Sequence, residues 1–215
     1  DSRAWSEADV PLATLRQIKW GRFQHNFIAL GPGPSYEEAR VSWFDDAAWE
    51  TVRANLRLLS KAVVASGARG VFFDVENYSG LWHYWSHAGL KLNPPQRICH
   101  YPGFTFGQVE AKVRQRGREF IAALQSEKPD LVIMATALLC SSGAKPEEVE
   151  TSYYPLLRAF TTGMLEAAGP QVRLVDGPEA TYWTNASDGY LYWYNTYHDA
   201  APTLLPAELR DRWRA

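Results

Sequence analysis

Two carboxylates, Asp74 and Glu76, close the apolar run in GARGVFFDVENYSG (residues 67–80), separated by a single valine. The residues before them favour β-structure, as a strand built for burial would. Side chains alternate along a strand, so Asp74 and Glu76 share a face with Phe72, while Phe73 and Val75 share the other. Burying such a pair would require a basic partner for each acid. Arg69 precedes them on the same strand but lies toward its opposite end. A later run, VRLVDGPEATYW, repeats the arrangement with Asp176, Glu179 and Tyr182. Two strand ends that deliver carboxylates into one crevice suit acid–base cleavage of an acetal. One group protonates the leaving oxygen, and another stabilises positive charge or activates water. The competing account makes Asp176-Gly177 a turn and Glu179 a solvated loop acid.

The segment after Glu76 carries Tyr78, Trp82, Tyr84 and Trp85, and a second aromatic cluster spans Tyr190 to Tyr197. Flat rings with polar edges suit the faces and hydroxyl rims of pyranosides, and they equally suit packing a long loop against the body. The expected substrate contacts are Tyr78, Trp82, Trp85, Asp176 and Tyr182. His83 and His87 stand four residues apart but lack the intervening Glu of the zincin pattern, so the expected chemistry uses carboxylates with no metal and no cofactor. His100 and His198 read as polar rim residues. Arg114, Arg116 and Arg118 read as a solvated helix face paired with Glu110 and Glu119. Cys99 and Cys140 are too few for a disulfide framework and read as unpaired thiols, with a bond between them as the alternative.

These residues need a scaffold, and the sequence punctuates one. In WFDDAAWETVRANLRLLSKAVVASG, apolar residues recur every three or four positions, Asp45 or Asp46 can cap the start, and Gly67 suits the stop. GVFFDVE follows as a strand. A capping box at Thr105 and Gln108 opens a second helix that stops before Pro129, and LVIMATAL reads as the next strand. YPLLRAFTTGMLEAAG predicts a third helix with Pro155 in its first turn, and VRLVDG a third strand. Upstream, FQHNFIALG reads as an earlier strand after a short helix from about Asp9 to Trp20, and PAELRDRWRA begins a last helix.

Apolar strands alternating with helices belong to a parallel sheet, and no composition break divides residues 1–215 into two domains. At 215 residues and 46% hydrophobic content the chain can bury a core. A net charge of −2 gives no basic signal for nucleic acid, and no apolar run reaches the length of a membrane span. The first residues lack the pattern of a signal peptide. A closed (βα)8 barrel needs eight strands and typically about 250 residues. Four strands therefore predict an α/β parallel βα repeat that is about half of such a barrel, or else a small open sheet. A half-barrel leaves two unpaired edges and an uncovered inner face, which predicts a homodimer covering that face.

GVFFDVENY resembles the end of the fourth barrel strand in chitinase-type glycoside hydrolases, whose signature closes in Asp-x-Glu followed by an aromatic. Asp74 and Glu76 match its last two positions, Tyr78 stands near the aromatic, and Arg69 and Phe72 replace the earlier acids. The resemblance implies Glu76 as general acid, with Asp74 orienting it. Together with WFDDAAWETVRANLRLLSKAV, VRQRGREFIAAL and VDGPEATYW, the stretch resembles uncharacterised glycosidase-like TIM-barrel proteins of environmental bacteria. That likeness implies roughly the third to the sixth strands of a barrel, with Glu179 and Tyr182 two strands from Glu76. The leading expectation is a glycoside hydrolase acting on a carbohydrate substrate, with Glu76, Asp74 and Glu179 catalytic. The alternatives are a catalytically silent carbohydrate-binding barrel or half-barrel, and a metal-dependent hydrolase using Asp74, Glu76 and a loop histidine.

Overall fold

The computed structural model describes residues 3–31, 41–76, 80–86, 93–139, 146–152, 154–177 and 179–214, with the side chains of 146–148, 179 and 180 outside that description. Four strands, β1 (Phe27–Leu30), β2 (Gly70–Phe73), β3 (Val132–Ala135) and β4 (Arg173–Asp176), form one sheet in the order β1-β2-β3-β4. Every neighbouring pair is parallel, and Leu30, Phe73, Ala135 and Asp176 stand in one row of the register. The connections hold α2 (Asp46–Ser66), α3 (Phe106–Leu124) and α4 (Leu157–Ala167), and α1 (Leu12–Leu15) precedes the sheet. The fold is therefore α/β, an all-parallel four-stranded sheet with alternating helices.

The local signals act where they were expected. Asp45 caps α2 by accepting from Ala48 N at 2.9 Å, and Gly67 ends it in the left-handed region at φ 67°. Thr105 and Gln108 form the reciprocal capping box of α3. The helix predicted from Asp9 to Trp20 shrinks to the single turn of α1, which buries no residue of its own. Leu12 and Leu15 pack against the core while only partly buried, and a docked surface that small does not hold a longer helix.

Strand order decides which face is covered. Each connection steps one strand further in the same direction, and right-handed crossovers then place all the connecting helices on one side of the sheet. Val71 and Phe73 of β2, with Ile133 and Ala135 of β3, point to that side and join the core with residues of α2, α3 and α4. The opposite face carries Ala29, Phe72, Met134 and Val175 in one register row, all partly or well exposed, and none of them joins the core. Gly70 is needed where β2 and β3 meet, because a Cβ there would lie 1.8 Å from Val132 O.

The helix layer is closely packed at the α3–α4 crossing. Gly117 rests on the backbone of α4 and Gly163 on the backbone of α3; a Cβ would come within 2.1 Å of Phe160 O or 2.0 Å of Arg114 O. Ion pairs flank the crossing, with Arg114 and Arg118 on Glu166 and Arg158 on Glu110. The arginine face of α3 thus departs from the expected solvated row. Arg116 is only 2% exposed; it donates to Trp43 O at 3.0 Å, pairs with Glu119 and Asp46, and lies 5.1 Å from the ring centroid of Trp49. Burial of that guanidinium is tolerated because its donors are matched and an aromatic face covers it.

Candidate functional site

The carboxyl end of β2 is held at several backbone atoms. Asp74 N extends the pairing to Leu30 O at 3.0 Å. Val75, buried on the helix side, donates its N–H to Thr136 Oγ1 at 3.2 Å and accepts at its carbonyl from Trp82 Nε1 at 2.7 Å. With Phe73 and Val75 buried on the helix side, Asp74 between them falls on the uncovered face. Asp74 Oδ1 accepts from Glu76 N at 3.0 Å, so the first acid fixes the backbone that carries the second. Both acids are half-buried, and Asp74 makes no ion pair among the described residues. Arg69 pairs with Asp130 at 3.6 Å at the other end of the strand.

Asp176 does not join them. Its register partner is Ala135, not Thr136, so it points to the helix-covered side. There its two oxygens accept from Leu138 N at 2.9 Å and Leu139 N at 3.1 Å, and both leucines are fully buried. The carboxylate thus closes the turn after β3, so Asp176, expected as a substrate contact, is placed on the side away from Asp74. The sequence missed this because Asp176 stands one position short of the row that holds Asp74 and Thr136.

Trp82, expected as a substrate contact, is placed in the core. It is 1% exposed and lies in an aromatic core, 5.6 Å from Trp43 and 5.2 Å from Phe160 between ring centroids. Its indole supports Val75 from behind, so its effect on the acids passes through the backbone. Trp85 is half-buried beside an antiparallel bridge to Cys99, with the Arg97 guanidinium 5.7 Å from its ring centroid. Its Nε1 has no hydrogen-bond partner among the described residues. Tyr84 is buried and donates to Phe104 O at 2.8 Å; burial, with Cys99 beside it, pushes its phenol up to about 12. His83 is buried and stacks on Tyr154 at 5.7 Å.

At the end of β4, a helical turn spans Glu179–Trp183. Tyr182 and Trp183 are exposed there, at 79% and 89%, and the side chain of Glu179 lies outside the described residues. Tyr78, His87 and Cys140 also lie outside them. The expected ring cluster at 190–197 forms a helix, α5 (Ser187–Asn195), which buries none of its residues and exposes Tyr190, Leu191, Tyr192 and Tyr194. Among the described residues, no three His, Cys, Asp or Glu side chains are grouped to hold a metal ion. No described helix is long and apolar enough to cross a membrane.

Thr136 is the residue the sequence did not single out. It ends the LVIMA run on the uncovered face, level with Asp74, and its hydroxyl fixes Val75. A hydroxyl directly after an apolar strand was its only signal. Comparison with protein-family models, curated proteins and solved structures finds no match.

Proposed function

We propose that the chain is the core of a glycoside hydrolase in which Glu76 is the general acid/base, Asp74 positions it, and Glu179 supplies the second carboxylate. One observation carries the reading: Asp74, at the carboxyl end of a parallel sheet, accepts from the backbone N–H of Glu76 beside a Val75 clamped by Thr136 and Trp82. Ligands of parallel α/β folds bind at that end. Glu179 opens the turn after β4, two strands from β2, and neighbouring strands lie about 4.8 Å apart. The separation of the two carboxyl groups decides the stereochemistry, about 5 Å giving retention and roughly 6.5–9.5 Å leaving room for a water and giving inversion. Tyr182 and Trp85 remain as ring contacts, with Tyr78 beside the acids in sequence.

The deciding experiment is a glycoside panel assayed with the native chain and Glu76→Gln. Turnover of a responsive glycoside that falls about 10³-fold in the variant, with folding unchanged, supports the assignment; equal turnover overturns it. A second reading is a carbohydrate-binding chain without hydrolysis, which keeps the ring contacts and lacks a working second carboxylate. Oligosaccharide binding with no turnover across the panel selects that reading.

The uncovered face also fits a second copy of the chain. A two-fold axis along the strands sets β4 of one copy parallel to β1 of the other at both seams, using both free edges and closing eight strands around Phe72 and Met134. Light scattering is expected to give twice the chain mass, and a strict monomer rejects the closure.

A further inference from the structure

On the outer side of the helix layer, an open cavity of about 660 Å³ lies between α3, α4 and residues 203–206, away from the face that bears Asp74. Arg114, Arg118 and Arg158 line it. Each guanidinium carries five N–H donors, and their carboxylate partners use only some of them. Glu166 takes Nε and Nη2 of Arg114 and Nη1 of Arg118, while Glu110 takes Nη2 of Arg158. Among the described residues, Nη1 of Arg114, Nε and Nη2 of Arg118, and Nε and Nη1 of Arg158 have no acceptor.

The lining hydroxyls add no donors. Thr162 Oγ1 donates to Arg158 O at 2.8 Å and Thr203 Oγ1 to Ala200 O at 2.6 Å. Glu110 lines the cavity as well, with its Oε1 held by Arg158; the groups left over are mainly guanidinium donors, which an acceptor-rich anion would match. Glu208 acts on Arg114 at longer range, so directed donors rather than net charge make the site. Beside them the wall is apolar, with Ala111, Ala159, Leu204 and Pro206. The Gly117–Gly163 contact and the Glu bridges hold the arginine stems in place before any ligand arrives.

We infer that this cavity is a binding site for a small organic phosphate, with the phosphoryl oxygens on Arg118 and Arg158 and an apolar substituent against Ala159, Leu204 and Pro206. The site is independent of the sheet face and of any hydrolytic activity there. Phenyl phosphate, inorganic phosphate and sodium chloride, at matched ionic strength, form the arms of a thermal-shift and calorimetric titration. Phenyl phosphate is expected to raise Tm saturably, inorganic phosphate less, and chloride not at all. Arg118→Gln leaves Glu166 paired with Arg114, so the helix crossing survives; it is expected to weaken phenyl phosphate about tenfold, as is Arg158→Gln. If Arg158→Gln does not fold, Arg118→Gln alone decides. The proposal is overturned if neither phosphate compound shifts the native chain beyond chloride, or if Arg118→Gln binds phenyl phosphate as tightly as the native chain. Stronger binding of inorganic phosphate than of phenyl phosphate overturns the apolar part of the assignment.

Discussion

The ends of β2 and β4 look alike in sequence and behave oppositely in structure. Each apolar run closes in an aspartate, yet Asp74 faces the uncovered side of the sheet while Asp176 faces the helices. The difference is one residue of register. Asp74 is the first residue beyond the row that ends in Phe73, whereas Asp176 is the member of that row on β4. Because strand side chains alternate, that single step exchanges the uncovered face for the core. Similar residue types therefore serve two ends: one carboxylate positions a neighbouring acid, and the other closes a turn.

The largest expected effect tests the crevice end. Glu76→Gln should remove about 10³-fold of glycosidase turnover while leaving the far-UV spectrum and Tm in place, as read by a coupled sugar-release assay and a melt. Asp176→Ala is the opposite case. It strips acceptors from Leu138 N and Leu139 N in a fully buried turn, and denaturant titration should show a loss of about 3 kcal/mol. Turnover per folded molecule should hold; a selective loss of turnover at unchanged stability would return Asp176 to the crevice.

Between these extremes lies Thr136→Val, which removes the acceptor of Val75 N and should cost about 1–2 kcal/mol. It should also cut turnover, since the acids lose part of their backbone clamp. The smallest effect lies outside both strand ends. Arg114, hydrogen-bonded to Glu166, holds its carboxyl below the usual glutamate range, with Arg118 adding to the effect. A carboxylate with a lowered folded-state pKa stabilises the chain above its unfolded pKa, and that stability disappears as acid protonates the folded form. Glu166→Gln should therefore lower stability modestly at pH 7, where the carboxylate contributes, and flatten the further loss below about pH 4.5 in urea titrations.

Much of the scaffold was legible from neighbouring residues. Asp45, Gly67, Thr105 and Gln108 mark helix ends through contacts spanning a few positions, and the apolar runs mark strands. The aromatic residues were harder to read. Trp82 and Tyr84 sit in a segment without regular structure of its own, yet they are core residues, their polar atoms bound to Val75 O and Phe104 O. Composition could not separate them from Tyr182 and Trp183, which stand in solvent, because ring type is the same in both settings. Arg116 looked like its neighbours Arg114 and Arg118 and became the buried one, since only its position meets both Trp43 O and the Trp49 ring.

What the sequence determined by itself was the alternation of strands and helices and the capped ends of α2 and α3. All of these depend on periodicity and hydrogen bonds within a few residues. Tertiary structure alone decided which side of the sheet the helices cover, that Asp176 lies on the covered side, and that Trp82 supports the acids from behind. The first two outcomes depend on crossover direction and strand register, which relate residues of different strands and leave no mark in any local window.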